Sequence, residues 1–271
     1  MFNSQSNGVN CGVQVKTSRN TKTRRSAILT FLQQNGRASV EELADLFDTT
    51  PQTIRKDLSA LSDEGRVLRF HGGASLLGGT EYIRYDVREE ISRAEKAQIG
   101  RAVAKQIPDN AALFINAGTT TAAAARCLSH HVGLKVVTDS VSVANEIRGF
   151  AGVEVFVPGG MVRGSDGAIL GEAAVDFIRQ FRADVAVIGA AALSKEGALL
   201  DYDLREASVA RAIIENARNV ILAMDSTKFE RLAPVCIGHI SQMRTLVTNH
   251  LFPPALGELC AAHGVGLVEA S

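Results

Sequence analysis

The chain has 271 residues, 46% hydrophobic and 21% charged, and its 29 Lys and Arg balance 29 Asp and Glu. That composition excludes a disordered or fibrous chain, and zero net charge removes bulk electrostatics as a reason to bind nucleic acid. No apolar run approaches the roughly 18 residues of a membrane helix, and Cys11, Cys127, Cys236 and Cys260 lack metal-ligand spacing, so no membrane partner, disulfide framework, metal or cofactor is expected.

Residues 1–20 are polar, with few large apolar groups, and read as a flexible tail. The opening MFNSQSNGVNCGVQ shows no signal-peptide pattern, which predicts a cytoplasmic protein. From Arg24 to Gln34, Ile28, Leu29 and Leu32 form a core-facing helical stripe, with Gly36 placed to close the helix. Ser39 and Glu42 then form a capping box for a second helix that buries Val40, Leu43, Ala44 and Phe47.

Only Asp48 and Thr49 precede the next helix start, at Thr50 as cap and Pro51 as first helical residue. So short a turn sets two helices at a steep angle, the arrangement that projects the second into a DNA major groove. On that third helix Ile54, Leu58 and Leu61 share one apolar stripe, while Gln52, Lys56 and Ser59 face outward, flanked by Thr53 and Arg55. Gly65 ends the helix, and Val67–Phe70, His71-Gly72-Gly73 and Ala74–Leu76 read as strand, turn, strand, which is a wing. Candidate DNA contacts are therefore Thr50, Gln52, Thr53, Arg55, Lys56, Ser59, Arg69, His71 and Gly72, with His71 either touching phosphate or capping the turn. Basic residues on a helix are usually just solvated. Residues 21–76 hold eight Lys or Arg against seven acids, so the case rests on placement: Arg55, Lys56, Arg66 and Arg69 all lie on the reading helix and wing.

Residues 77–93 carry Gly78-Gly79 and an Arg/Glu-rich run and read as a linker into a helix from Ala94 to Ile107. Residues 94–271 form the second domain. From Ala111 onward, Val/Ile/Leu-rich runs begin at Ala111, Lys135, Val153, Ala183, Asn219, Thr245 and Val265, and they alternate with helical stretches. The fold class is α/β: a mostly parallel, Rossmann-like sheet covered on both faces.

Ligands of such sheets bind outside the carboxyl ends of the strands. There the sequence places Asn116-Ala-Gly118-Thr119-Thr120, Thr138-Asp139-Ser140, Pro158-Gly159-Gly160, Gly189-Ala190-Ala191 and Asp225-Ser226-Thr227-Lys228. One such turn is ordinary punctuation; five on one rim predict a shared pocket. Gly118-Thr119-Thr120 at a helix N-terminus favours an anion such as phosphate, and Lys228 adds a point charge. Neither G-x-G-x-x-G nor a P-loop occurs, so a nucleotide is not indicated.

Ile54-Arg55-Lys56-Asp57-Leu58 and Arg69-Phe70-His71-Gly72-Gly73-Ala74 resemble the DNA-binding signature of DeoR-type bacterial transcription regulators. The resemblance runs from about Thr21 to the C-terminus. Phe177–Phe181, Arg211–Asn216 and Asp225–Phe229 narrow it to a branch concerned with glycerol 3-phosphate. It implies a second domain related in fold to ribose-5-phosphate isomerase that senses a phosphorylated sugar or polyol through Gly118, Thr119, Thr120, Asp139, Gly159, Gly160, Glu206 and Lys228. Two positions depart from the family pattern: Asn116 stands where it usually has aspartate, and Ala192 where a GAxG-like turn has its last glycine.

Two functions compete. One is a sequence-specific repressor of a sugar or polyol operon, a homodimer or homotetramer on operator double-stranded DNA, released by a phosphorylated metabolite such as glycerol 3-phosphate. The other is a sugar-phosphate isomerase carrying a DNA-binding unit, which needs a base beside the phosphate loop. Asn116 cannot be that base, though Asp139 and Glu206 can.

Overall fold

The computed structural model describes residues 21–35, 37–64, 66–70, 72–76, 85–90, 92–231, 233–249 and 252–271. The expectations for the 1–20 tail, Gly36, Gly65, His71 and Gly78-Gly79 lie outside the described residues. The chain divides into two compact units, the boundary falling after Gly79.

The first unit contains α1 (Thr21–Asn35), β1 (Arg37–Ser39), α2 (Val40–Leu46), α3 (Pro51–Asp63), β2 (Val67–Phe70) and β3 (Gly73–Leu76). Local chemistry sets its helix starts. The Ser39–Glu42 capping box is closed from both sides: Glu42 N–H donates to Ser39 Oγ at 3.0 Å, and Ser39 N–H to Glu42 Oε2 at 3.3 Å. At the next start, Thr53 N–H donates to Thr50 Oγ1 at 3.2 Å and Pro51 opens α3. Between α2 and α3 the chain reverses through Asp48, whose φ of 46° lies in the left-handed region that Asp enters more readily than most residues.

Ile28, Leu32, Leu43, Ile54, Leu58, Leu61 and Val67 are buried together as the core of this unit. The wing is a three-stranded sheet rather than a hairpin, because β1 adds to β3 in the order β1-β3-β2. Gly73 makes that pairing possible, since a Cβ there would stand 2.3 Å from the Ala38 carbonyl oxygen.

The third helix is also tied to the first by charge. Asp57, on the apolar side of α3, is buried and accepts from Arg24 Nε at 2.6 Å and Arg25 Nε at 3.1 Å.

The second unit opens with α4 (Tyr85–Glu90), a helix inside the stretch read above as linker, followed by α5 (Arg93–Ala104). Then come β4 (Ala112–Ile115), α6 (Thr119–Arg126), β5 (Leu134–Thr138), α7 (Val141–Ile147), β6 (Val153–Phe156), α8 (Glu172–Arg179) and β7 (Ala183–Ile188). The remainder is β8 (Ala192–Leu193), β9 (Ala198–Asp201), α9 (Leu204–Glu215), β10 (Ala217–Ala223), β11 (Val235–His239), β12 (Thr245–Asn249), α10 (Pro254–Ala262) and β13 (Gly266–Ala270). Seven strands form one parallel sheet in the order β13-β12-β10-β7-β4-β5-β6.

Both faces are covered, as near-continuous apolar strands require. Leu113 and Ile115 of β4 pack with Ile99, Val103, Ala122 and Ile147 from α5 to α7, whereas Phe114 between them packs with Ile178, Ala210, Ile213 and Leu256 from α8 to α10. Gly100 lets α5 sit against α6: its Cβ would fall 2.5 Å from the Ala123 carbonyl. Strands β8, β9 and β11 form a separate antiparallel sheet in which the reading of apolar runs assigned no strand.

Candidate DNA-reading face and anion-binding rim

On the first unit, Gln52, Arg55 and Lys56 of α3 are exposed, as are Thr50, Arg69 and Gly72, while Thr53 and Ser59 are half-buried. Arg69 Nη1 donates to Ser59 Oγ at 3.3 Å, so the wing arginine and the reading helix meet directly. Thr50 has its hydroxyl engaged in the cap, 2.9 Å from Thr53 Oγ1. Arg55 Nη2 lies 3.6 Å from Glu41 Oε1, an exposed pair that contributes little and leaves the guanidinium available.

On the second unit the strand order reverses direction between β4 and β7. Successive strands β4, β5 and β6 step one way, and β7, β10, β12 and β13 step the other. Crevices form at such switch points, outside the carboxyl ends of the two strands. The loop after β4 carries Asn116 and Gly118 and leads into Thr119 and Thr120 of α6; the loop after β7 carries Gly189 and Ala190. Across the crevice Asn116 Oδ1 accepts from Gly189 N–H at 2.9 Å, and Lys228 Nζ donates to the Ala190 carbonyl at 2.8 Å.

At the start of α6, Gly118 supplies no side-chain cap, and the Thr120 Oγ1 is buried with no hydrogen-bond partner. The neighbouring Thr121 hydroxyl is engaged with the Asn116 and Gly118 carbonyls at 2.7 and 3.0 Å.

Asp139, at the end of β5, is fully buried and accepts from Ala117 N–H at 2.7 Å. Burial, reinforced by the charge of Glu206, pushes its carboxyl up to about 7. Glu206, in the first turn of α9, is raised as well by burial and by Asp201, against the pull of Arg163. Gly159 and Gly160 lie beyond β6 and are exposed. Their loop returns to the rim, because Ile169 N–H donates to the Asp139 carbonyl at 2.7 Å. It delivers Arg163, which donates to Glu206 Oε2 at 2.8 Å, Asp203 Oδ2 at 3.3 Å and Asp166 Oδ1 at 2.8 Å. Ala192, the departure from the GAxG-like turn, is buried in β8 opposite Leu200.

Three basic groups at this rim escaped sequence reasoning. Lys96 of α5 is buried, and burial, then the neighbouring Lys228 charge, pushes its ammonium down to about 7. Its Nζ donates to the Arg88 carbonyl of α4. Lys228 is also lowered by burial, opposed by Asp225. A signal for Lys96 existed: with Ile99, Gly100 and Val103 it completes an otherwise apolar stripe. Arg163 and Arg88 had none, since loop return and a short helix bring them in.

The rim is thus a crevice lined by an uncapped helix start and two depressed ammonium groups, flanked by the Asp139 carboxyl, pushed up to about 7, and by the Glu206 carboxyl, raised by burial. It can take an anion, with small hydroxyl-bearing groups beside it. Residues 24–79 match the model of the DeoR-like helix-turn-helix domain, and residues 91–250 that of the DeoR C terminal sensor domain. The glycerol-3-phosphate regulon repressor of Escherichia coli (strain K12) is 38% identical over 90% of this chain and 97% of its own length. The HTH-type transcriptional repressor CsqR of the same organism is 37% identical over 86% of this chain and 89% of its own. Among solved structures, a D-ribose-5-phosphate isomerase in complex with phospho-erythronic acid covers 51% of this chain and 54% of its own at 17% identity, with a TM-score of 0.37. Both domain matches, in the same order as the two units, together with similarity along nearly the whole length of these relatives, place the chain in the DeoR family of transcription regulators.

Proposed function

We propose that the chain is a transcriptional repressor of a polyol or sugar operon, docking α3 in the major groove of operator DNA and releasing it when a phosphate ester such as glycerol 3-phosphate binds the rim. The observation that carries the effector class is the α6 start: a buried, partnerless Thr120 hydroxyl and an uncapped helix end at the crevice that also holds Lys228. The choice of glycerol 3-phosphate leans on the names of two relatives, the repressors of that regulon in Escherichia coli and Haemophilus influenzae. An isomerase is not favoured, since the relatives are named as regulators. A two-fold dimer suits a palindromic operator, and a tetramer extends the same symmetry.

Linkage of this kind is typically about 1–3 kcal/mol, and a nearly complete switch needs about 5.5 kcal/mol of differential affinity. The direct test measures release of an operator fragment against glycerol 3-phosphate, fructose 1-phosphate and ribose 5-phosphate; no release by any of them rejects the effector class. Lys228→Ala or Thr119→Ala is expected to raise the effector concentration needed for release by about tenfold, the loss of one charge-assisted contact. A normal response in both would put the site elsewhere.

On the DNA side, Arg55→Ala is expected to weaken operator binding at fixed salt, and Lys56→Ala to flatten the dependence of log K on log salt by about 0.9, one phosphate contact. Unchanged affinity and slope in gel-shift titrations would refute this docking of α3.

A further inference from the structure

Asn116 stands where β4 and β7 part. The backbone ladder between them reaches Ile115 opposite Val187, and Asn116 N–H still donates to the Val187 carbonyl at 3.3 Å. One residue later the main chains diverge, one toward α6 and the other toward β8. The Asn116 side chain spans the gap like one more rung: Gly189 N–H donates to its Oδ1 at 2.9 Å, and its Nδ2 donates to the Gly189 carbonyl at 3.3 Å. Asn116 is buried, so each end of the amide is matched where solvent cannot substitute.

The contacts continue in both directions. The Asn116 carbonyl accepts from Thr121 Oγ1 at 2.7 Å, which fixes it to the first turn of α6. On the other side Gly189 leads to Ala190, whose carbonyl holds Lys228 Nζ at 2.8 Å.

We propose that Asn116 is a positioning residue that sets the spacing between the α6 N-terminus and the Lys228 ammonium, and so governs affinity for a phosphate ester without touching it. The inference rests on the anion site proposed above. The two halves of that site come from different strands, and an anion held by both gains from each only if they are already the right distance apart. An amide suits the position because Gly189 offers one donor and one acceptor. A carboxylate matches the N–H and sets a lone pair against the carbonyl; alanine matches neither.

The test uses the full chain with Asn116→Ala and Asn116→Asp, each with Lys228 and with Lys228→Ala. Calorimetric titration with glycerol 3-phosphate is joined to amide exchange at Gly189 without ligand. Asn116→Ala is expected to weaken binding about tenfold when Lys228 is present and about twofold at most when it is absent, with Asn116→Asp between parent and alanine. Gly189 N–H is expected to exchange about tenfold faster in Asn116→Ala. Equal losses in both backgrounds, or no loss with Lys228 present, overturn the proposal. So does unchanged Gly189 exchange, a readout that stands even if glycerol 3-phosphate fails to bind the parent, which would reject the effector instead. Should Asn116→Ala not fold, Asn116→Asp supports the same comparisons through its lost donor.

Discussion

Asp57→Ala is expected to destabilise the N-terminal unit by about 3–5 kcal/mol, the range seen when one member of a buried ion pair is removed. The carboxylate is 2% exposed and joins two guanidinium groups, with Arg24 10% exposed and Arg25 29%. Without it Arg24 is left charged in a site that excludes most water, and α1 loses its buried tie to α3, although Arg25 keeps its more exposed pair with Glu64 at 3.7 Å. A unit of about 55 residues has roughly 3–8 kcal/mol in total, so the variant would be largely or partly unfolded at growth temperature. Operator binding would fall with it, although Asp57 faces the core and not the DNA. Asp57→Asn keeps an acceptor for one arginine and is expected to lose less. Urea titration followed by far-UV circular dichroism, with amide exchange resolving the two units, measures the change. A loss under about 1 kcal/mol would mean that Arg24 finds another partner or water. Rescue by removing the most buried pair, through Asp57→Leu with Arg24→Met, would show that the cost is the stranded charge.

The helix starts at Ser39 and Thr50 were legible because each is made by residues within three positions of one another. The parallel sheet was legible for a related reason, since strands buried on both faces show as unbroken apolar runs, and β4 with Phe114 packed to one side and Leu113 and Ile115 to the other is such a run. Strand β1 was not, because its three residues become a strand only by pairing with β3, and Ser39 already reads as a helix cap. Asp57 and Lys96 share a lesson. Each puts a charge on the apolar stripe of its helix, beside Ile54, Leu58 and Leu61 or beside Ile99, Gly100 and Val103. A charge in that position announces a buried partner. The partner itself, Arg24 for one and the Arg88 carbonyl for the other, lies on another element and cannot be read from local spacing. The rim followed from the rule about strand ends, whereas Arg163 reached it through a loop whose return depends on the bridge between Ser140 and Ala168.

Stability of the sensor unit is expected to carry a pH dependence from Asp139 opposite to that of an ordinary paired carboxylate. Burial and the Glu206 charge raise this carboxyl from 3.8 to about 7. Between those values the folded chain holds a proton that the unfolded chain has released. The contribution is therefore complete below about pH 4 and is lost as pH rises through about 7, a swing on the order of 4 kcal/mol. Other groups run the opposite way: hydrogen bonding to Arg205 holds Asp203 down at about 2. The signal is isolated by comparison with Asp139→Asn, which retains an acceptor for Ala117 N–H. Relative to parent, that variant is expected to gain stability steadily from pH 4 to 7 and to keep a constant advantage above. A difference that does not vary with pH would show that Asp139 is ionised in the folded chain throughout.

The same proton bears on the effector. An anion at the α6 start adds negative charge beside Asp139 and favours its protonated form, as it favours the charged form of Lys96, whose ammonium titrates at about 7. Binding is then expected to take up protons and to weaken severalfold from pH 6.5 to 8.5, visible as a dependence of the calorimetric enthalpy on buffer. The second ionisation of a phosphate ester, near pH 6, acts in the other direction and is nearly finished above pH 7. Weakening above that pH therefore belongs to the protein, and the share lost in Asp139→Asn belongs to this carboxyl.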